Sequence, residues 1–390
     1  MDFAGCGLSN DCPERELLLA IIRCPISKQD EERIARLVSK VRNWELVLQL
    51  GRVHRVLPML FSAIRFSGIC LPHAIESQLR REYYSNAFHS LANTAELIDI
   101  LRDFGRRRID ILPHKGVVLS ASAYGSAVAR PAGDLDLLIH FRDLQAATEI
   151  LLARGYKLTT PRLADGTPVA SENHEYSFER EADGRLVELH WKLELVFRRS
   201  GPTLDMSRLS PHRRSIVLAG TCVPDLAAEM KLLMLCMHGS KHVWSRLIWI
   251  SDVARVIATS PNLDWDSLIR ESRRRGLSRP LALGMLLAHR LAGAEIPPAL
   301  LWSCESDRGA SELAHHIQSQ LFEAPGSVPK ARVPYNIRLL GFRHRAKAVL
   351  SGEFLRPSER DEAVLNLPRP LRPFYFLIRP LRLVWDKSAR

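Results

Sequence analysis

The sequence predicts an α/β (α+β) protein, in which a small mixed sheet is flanked by N-terminal and C-terminal helical regions. Three observations predict this class. Apolar residues recur at helical spacing through residues 1–107, a strand, helix, strand, helix and hairpin follow from residue 108, and helical periodicity returns after residue 223. We therefore expect a helical region over 1–107, an α/β core over 108–222, a helical domain over 223–350 and a Pro- and Arg-rich tail over 351–390.

The N-terminal region is expected to be helical along its length. Each segment repeats apolar residues every three or four positions, and the proline of the fourth segment is acceptable in a first helical turn. The predicted helices cover residues 14–24, 30–41, 44–51, 58–66 and 74–104.

The region after residue 108 predicts an α/β unit closed by a hairpin. Residues 109–112 and 134–140 have the apolar pattern of short strands, and residues 117–124 and 142–155 have that of helices. Residues 174–180 and 185–191 alternate around Asp183-Gly184, a favourable hairpin turn. Further helices are expected over 226–237, with Asp225 as the N-cap, and over 246–259, 264–274, 280–292 and 312–322.

The composition indicates a folded protein with a basic surface. Of the 390 residues, 46% are hydrophobic and 25% are charged, and the formal net charge is +12. Those proportions exclude wholesale disorder, a collagen-like repeat and a coiled coil. The charge reflects either a bias toward arginine or a polyanionic partner such as a nucleotide, RNA or an anionic membrane face. No apolar run approaches the roughly 18 residues of a membrane helix.

Seven cysteines are scattered along the chain, and none belongs to a CxxC pair. The odd number and the spacing argue against a disulfide framework or a zinc ribbon. The N-terminus also lacks the pattern of a signal peptide. We therefore expect a cytoplasmic protein.

Asp134-Leu135-Asp136 opens the second predicted strand. Residues i and i+2 of a strand point to the same face, so both carboxylates project together. Two negative charges at such a short distance repel each other unless a cation lies between them. A divalent metal with oxygen ligands can supply that positive charge. The alternation of the hairpin strand places Glu188 and His190 on one face. If the two strands are neighbours, three carboxylates can hold two Mg²⁺ ions for in-line phosphoryl or nucleotidyl transfer. The alternative is a solvated strand end with a surface glutamate.

These residues belong to a longer series of motifs. The series is His114-Lys115-Gly116, Arg130-Pro131, Gly133 to Ile139, Gly155-Tyr156, Glu188-Leu189-His190-Trp191, His238 to Leu247 with Trp249 and Asp252, and finally Leu367-Pro368, Tyr375 and Arg379-Pro380. In this order the motifs resemble those of the bacterial "uncharacterised nucleotidyltransferase" family, which is part of the DNA polymerase beta-like nucleotidyltransferase superfamily. The resemblance covers most of the chain. It implies a mixed-sheet nucleotidyltransferase core, metal binding by Asp134 and Asp136, and Glu188 as the third carboxylate.

Two turns are candidates for binding phosphate. The superfamily has Gly-Ser or Gly-Gly after its first strand, followed by an interval shorter than the seventeen residues between Lys115-Gly116 and Asp134. Gly125-Ser126 is separated from Asp134 by only seven residues. The chain order favours Lys115-Gly116, whose backbone N–H groups would face phosphate at a helix N-terminus. Gly125-Ser126 is the second choice.

Basic side chains near these motifs are further candidates for the nucleotide site. Lys115 can neutralise a β- or γ-phosphate or be a surface lysine, and Arg130 can do the same or pair with a nearby acid. His238, Lys241 and His242 are expected to line the nucleotide cleft from the helical domain. The alternatives for them are polar residues that suit the dipole of a helix end, or a zinc site of the HxxxH type without an obvious third ligand.

The sequence favours an NTP-dependent nucleotidyltransferase with a two-metal mechanism. It would move a nucleoside monophosphate from an NTP, expected to be ATP, to an acceptor hydroxyl of a small molecule, peptide or protein, with Mg²⁺ or Mn²⁺ as cofactor and pyrophosphate as product. One alternative is an RNA- or tRNA-directed enzyme, which the net charge of +12 supports and the lack of an RNA-binding motif opposes. Another is a degenerate, non-catalytic nucleotide-binding protein that acts through a partner. A phosphohydrolase of the HD type is disfavoured because the chain has no His-Asp dipeptide.

Overall fold

The computed structural model describes residues 12–66, 68–160, 174–195, 201–323, 332–341 and 346. The described residues form a mixed sheet that is preceded and followed by helices, so the predicted α/β class with helical flanks is confirmed. Among these residues no helix has both the length and the apolar character needed to cross a lipid bilayer. The predicted tail over 351–390 lies outside the described residues.

Five helices precede the sheet, as predicted, with bounds that differ from the predicted ones by a few residues. They are α1 (Pro13–Ile21), α2 (Lys28–Lys40), α3 (Trp44–Val53), α4 (Leu57–Phe66) and α5 (His73–Arg106). A capping box begins α2: the Ser27 hydroxyl accepts a hydrogen bond from the Asp30 amide, and the Asp30 carboxylate accepts one from the Ser27 amide. The end of α5 reaches the core of the sheet through Leu97, Ile100 and Phe104.

The sheet has five strands and contains both parallel and antiparallel pairs. Its elements along the chain are β1 (Ile111–Pro113), α6 (Gly116–Tyr124), β2 (Asp134–Ile139), α7 (Leu144–Ala153), β3 (Lys157–Leu158), β4 (Glu175–Arg180) and β5 (Arg185–His190). The strand order is β1-β2-β5-β4-β3, in which β2 and β5 are parallel and the other neighbouring pairs are antiparallel. The predicted hairpin of β4 and β5 is therefore the neighbour of the carboxylate strand.

The two faces of the sheet differ because side chains alternate along β2 and β5. Leu135, Leu137, Val187 and Leu189 are buried in one hydrophobic cluster with residues of α5, α6 and α7. The opposite face carries the polar side chains of the candidate site. One face thus anchors the strands, which leaves the other available for chemistry.

The second half of the chain begins with short strands and continues as helices. Its elements are β6 (Leu193–Glu194), β7 (Thr203–Leu204), α8 (Met206–Leu209), β8 (Arg213–Leu218), β9 (Thr221–Leu226), α9 (Ala228–Lys241), α10 (Leu247–Ala258), α11 (Trp265–Arg275), α12 (Ser278–Ala292), α13 (Pro298–Ser306), α14 (Arg308–Gln320) and α15 (Arg332–Leu339). The prediction that Asp225 caps a helix is wrong. Asp225 lies in β9, and its carboxylate accepts a hydrogen bond from Lys231 Nζ at 2.6 Å.

The N-terminal and C-terminal helices share one hydrophobic core. Residues of α1–α4 and of α9–α14 belong to the same buried cluster, and the Cys24 amide donates a hydrogen bond to the Ala292 carbonyl at 2.9 Å. Leu138, which lies on the polar face of β2, belongs to this cluster too. The packing therefore places α9 against that face. The domain boundaries stay predictions. The six described cysteines form no disulfide with one another.

Candidate active site

The pairing of β2 with β5 brings the three predicted carboxylates together. Asp136 lies directly opposite Glu188 in the parallel register, and Asp134 lies two residues before it on the same face. One oxygen atom of each carboxylate lies within 4.8 Å of those of the other two. Asp136 is 4% exposed, whereas Asp134 and Glu188 are half-buried. The predicted grouping of acids is therefore present, with one buried member and two accessible ones.

This carboxylate cluster fits a divalent cation. Asp136 Oδ1 is buried and has no hydrogen bond of good geometry within the described part of the chain, although Lys115 Nζ lies 2.9 Å away as an ion-pair partner. Three carboxylates around one point repel one another unless positive charge lies among them. Oxygen donors are also those that Mg²⁺ and Mn²⁺ prefer. The residues present thus suit such a metal.

The surrounding charges shift the pKa values of the two aspartates in opposite directions. The Asp136 carboxylate, and after it burial, raise the pKa of Asp134. Burial alone would raise the pKa of Asp136 as well. The Lys115 ammonium and the His190 ring outweigh burial and hold the pKa of Asp136 well below its usual range. Asp136 is therefore ionised at neutral pH.

The turn between β1 and α6 places a cation on this cluster. Burial alone would lower the pKa of Lys115, but its ion pair with Asp136 outweighs burial and raises that pKa. Gly116 follows with a φ of +59°, and a Cβ at this position would lie 3.3 Å from the Asp134 carbonyl oxygen. The left-handed backbone favours glycine here, and the close approach to β2 leaves little room for a side chain. The Lys115-Gly116 turn is thus built against the carboxylate strand.

The second candidate turn, Gly125-Ser126, lies at the opposite end of α6. Gly125 ends the helix in the left-handed conformation, and the Ser126 carbonyl accepts a hydrogen bond from the Ser120 hydroxyl at 2.6 Å. The length of α6 separates the two turns by about 13 Å along the helix axis. The structure therefore brings Lys115-Gly116, and not Gly125-Ser126, next to the carboxylates.

Two histidines surround the buried aspartate together with Lys115. His190 Nε2 lies 3.4 Å from Asp136 Oδ1 and 3.3 Å from Glu188 Oε2. His114 Nε2 lies 4.0 Å from Asp136 Oδ1, and its ring is perpendicular to that of His190 at 5.2 Å. Burial outweighs the attraction of Asp136 and lowers the pKa of His114 well below its usual range, so His114 is neutral.

A pocket of about 180 Å³ opens between Glu188 and the C-terminal end of α9. Glu188 lines it from β5 and Lys115 from the turn before α6, whereas Asp134 and Asp136 are not among its lining residues. His238, Lys241 and His242 line the opposite side, from the last turn of α9 and the residue that follows it. These three residues therefore face Glu188 across a cleft, and their role in binding a nucleotide stays a prediction. Among the described residues, neither His238 nor His242 belongs to a group of three candidate metal ligands. The zinc site that the sequence offered as an alternative therefore lacks a third ligand there. A larger cavity of about 420 Å³ near the end of α6 contains none of the three carboxylates.

Arg130 is held by an acid and does not line the carboxylate pocket. Its Nε and Nη2 donate hydrogen bonds to the Asp252 carboxylate at 2.7 and 2.9 Å, and its Nη1 donates to the Pro131 carbonyl at 3.1 Å. Arg130 is 7% exposed and Asp252 is fully buried. The sequence offered two interpretations of Arg130, a phosphate ligand or the partner of an acid. The structure shows the second, since the guanidinium donates to Asp252 and Pro131, away from the pocket.

Two residues near the cluster have no signal in the sequence. Arg55 lies in the turn between α3 and α4, next to Gly133, the residue before β2; a Cβ at Gly133 would lie 3.1 Å from Arg55 Nη2. The positive charge of Arg55 favours the ionised form of Asp134 and so opposes the rise in its pKa. Glu175 begins β4, lines the pocket and contacts His190. Both belong to segments whose local patterns predict only a helical region and a hairpin, so the tertiary fold alone brings them to the site.

Acids on the central strands of a mixed α/β sheet, with a glycine turn at the start of the adjacent helix, define a site suited to metal-dependent handling of phosphate. The sequence model of the "uncharacterised nucleotidyltransferase" family matches residues 40–293, which is more than half of the chain, and the chain belongs to this family. The match covers the carboxylates and the pocket residues. No curated protein and no solved structure matches the chain. Family and site together support nucleotidyl transfer in general.

Proposed function

We propose that this protein is a metal-dependent nucleotidyltransferase that moves a nucleoside monophosphate from a nucleoside triphosphate, with ATP as the donor, to a hydroxyl group of a small molecule, peptide or protein. The observation that carries the proposal is the cluster of Asp134, Asp136 and Glu188 on two adjacent strands, beside the Lys115-Gly116 turn. Family membership supports the reaction class, and the cluster supplies the residues for it.

The proposed reaction is an in-line displacement at the α-phosphorus. The acceptor hydroxyl oxygen bonds to this phosphorus, the bond to the bridging oxygen breaks, and pyrophosphate leaves. Asp134 and Asp136 hold Mg²⁺ or Mn²⁺, which supplies positive charge to the triphosphate oxygens. Glu188 completes the ligand set and is placed to accept the hydroxyl proton, because it is half-buried and lines the pocket.

Basic side chains on both sides of the pocket suit a triphosphate. Lys115 approaches from the turn before α6, and Lys241 and His242 approach from the C-terminal end of α9. In the structure the Lys115 ammonium neutralises Asp136 at 2.9 Å. With a divalent cation at Asp136, the same ammonium can contact a phosphate oxygen as a point charge.

The test is nucleotide binding and turnover with Mg²⁺ or Mn²⁺ and each of the four NTPs. Wild type is compared with Asp134→Asn plus Asp136→Asn by melting temperature and by pyrophosphate release. Ligands that bind the folded state raise the melting temperature by mass action. The matched control is Glu31→Gln plus Glu32→Gln, which makes the same change in net charge at exposed positions of α2.

We expect a metal-dependent rise in melting temperature that the control retains and the double aspartate variant loses. A folded wild-type protein that neither binds nor turns over any NTP would contradict the proposal. Binding without pyrophosphate release, with every class of acceptor, would instead favour the non-catalytic nucleotide-binding protein.

An RNA acceptor is the second candidate, because the net charge of +12 favours a polyanion. Binding to RNA through phosphate contacts weakens steeply as salt rises. RNA binding at low salt that stimulates pyrophosphate release would select this candidate over a small-molecule, peptide or protein acceptor.

A further inference from the structure

His190 contacts two of the three carboxylates of the candidate active site, those of Asp136 and Glu188. It is 6% exposed, and its Nε2 lies 3.4 Å from Asp136 Oδ1 and 3.3 Å from Glu188 Oε2. This nitrogen is buried and has no hydrogen bond of good geometry to any described residue. A buried ring nitrogen therefore points into the acidic cluster from the same sheet that carries the acids.

Glu175 contacts the other ring nitrogen of His190. The register of β4 and β5 places Glu175 opposite His190, and Glu175 Oε2 lies 3.3 Å from His190 Nδ1. An ionised carboxylate can only accept a hydrogen bond, so without a metal both ring nitrogens face acceptors. A divalent cation among Asp136, Glu188 and Nε2 would take the place of the Nε2 hydrogen, and the hydrogen left on Nδ1 would point at Glu175.

We propose that His190 Nε2 is a ligand of the divalent metal shared with Asp136 and Glu188, and that Glu175 is a positioning residue that orients the ring. The inference rests on the proposed function, since it concerns the same carboxylate site. Metal-ligating histidines commonly donate their other ring N–H to a carboxylate, which fixes the orientation of the ring and makes it a better ligand. The contact between Glu175 and His190 has this form.

A nitrogen ligand changes the metal that the site prefers. Mg²⁺ prefers oxygen ligands and near-ideal octahedral geometry. Mn²⁺ also takes oxygen ligands, but as a first-row transition metal it accepts an imidazole nitrogen more readily than Mg²⁺ does. We therefore expect the protein to bind Mn²⁺ more tightly than Mg²⁺, and we expect this preference to shrink when position 190 loses its imidazole.

The test is binding of Mn²⁺ to the full chain, followed by electron paramagnetic resonance, which does not depend on turnover. The wild-type spin echo is expected to show modulation from a directly bound ¹⁴N nucleus. His190→Gln should abolish this modulation and weaken Mn²⁺ binding by about 10–100-fold. Glu175→Gln should retain the modulation and weaken binding by about tenfold. His140→Gln, at a half-buried histidine outside the pocket, is the control.

The outcomes separate this inference from the proposed function. Mn²⁺ binding without ¹⁴N modulation, with unchanged affinity in Glu175→Gln, would overturn the role of His190 and leave the carboxylate site in place. Absence of Mn²⁺ binding, or binding that survives Asp134→Asn plus Asp136→Asn, would overturn both. If His190→Gln does not fold, the wild-type spectrum and Glu175→Gln still decide.

Discussion

Arg130 and Asp252 form a buried, two-point ion pair that fastens the loop before the carboxylate strand to α10. The Tyr124 hydroxyl also donates to Asp252, at 2.8 Å, so the end of α6 is tied to the same carboxylate. The loop leads directly into Asp134. The C-terminal helices therefore help to position the acids as well as providing the opposite wall of the pocket.

We expect removal of the Asp252 charge to destabilise the protein. Asp252→Asn leaves the Arg130 guanidinium buried without its counterion, and breaking a buried ion pair in this way costs about 3–5 kcal/mol. The measurement is the free energy of unfolding in urea. The control, Arg102→Ala, removes an exposed pair with Asp99 and should cost less than about 1 kcal/mol.

Two results would contradict the structural role of Arg130. One is an Asp252→Asn variant that unfolds at the same urea concentration as wild type. The other is an Arg130→Lys variant that keeps its stability and loses nucleotide affinity. The second result would return Arg130 to the nucleotide site, as the first interpretation of the sequence had it.

A matched pair of glycine substitutions separates the two candidate phosphate turns. Gly116 and Gly125 have φ of +59° and +74°, so alanine is strained at both by about 1–2 kcal/mol. Only at Gly116 does the new Cβ approach the carboxylate strand, at 3.3 Å from the Asp134 carbonyl oxygen. We expect both variants to have a lower melting temperature than wild type. Only Gly116→Ala should lose affinity for Mn²⁺-ATP in calorimetric titrations, by about tenfold, which corresponds to about 1.4 kcal/mol of binding free energy. The reverse pattern would favour Gly125-Ser126.

The sequence predicts those parts of the site whose positions follow from the spacing of neighbouring residues in one strand or helix. Asp134 and Asp136 share a face because a strand has a period of two, and the hairpin alternation gives the face of Glu188 for the same reason. Amphipathic periodicity likewise predicts the helices around the sheet. These features depend on residues close together in the chain, where spacing alone determines direction.

The rest depends on register and on long-range packing. Glu175 meets His190 only because β4 and β5 pair in one particular register. Asp252 lies 122 residues beyond Arg130, so no local pattern connects them. The sequence does not predict the hairpin of β8 and β9 for another reason. Pro224 argues against a strand, and it is tolerated because β9 belongs to a two-stranded sheet. Ala219, at the turn, adopts a φ of +47°, which is unusual for alanine.

Lys115 is expected to oppose metal binding and to support nucleotide binding. Its ammonium lies 2.9 Å from Asp136, where it competes with a metal for the same carboxylate. Lys115→Met should therefore bind Mn²⁺ alone more tightly than wild type. It should bind Mn²⁺-ATP about tenfold more weakly, because a hydrogen bond to a charged group contributes about 1.5 kcal/mol or more. The two affinities are measured by separate titrations.

Lys231→Met is the control for that substitution. It removes another buried lysine, which pairs with Asp225 at 2.6 Å and does not line the carboxylate pocket. It should lower the melting temperature and leave both affinities unchanged. Weaker binding of Mn²⁺ alone by Lys115→Met would contradict the competition between the ammonium and the metal.

His54 makes the stability of the fold depend on pH. It is fully buried between α3 and α4, and its Nδ1 accepts a hydrogen bond from the Leu247 amide at 3.3 Å, which joins the N-terminal helices to α10. Burial, and after it the charge of Arg246, lower the pKa of His54 to about 4. The unfolded chain therefore binds a proton that the folded chain excludes between the ordinary histidine pKa of about 6.5 and the folded value.

The stability that His54 contributes is present above about pH 6.5 and is lost as the pH falls toward 4. We expect His54→Asn, which keeps an acceptor for Leu247 and cannot titrate, to be less stable than wild type at pH 7. Between pH 6.5 and pH 4, its free energy of unfolding should fall by up to about 3 kcal/mol less than that of wild type, at 1.36 kcal/mol per pKa unit. Urea unfolding at each pH measures this, with His73→Asn, at an exposed position of α5, as the control for replacing a histidine. Parallel curves for wild type and His54→Asn would show that the buried ring does not set the acid sensitivity.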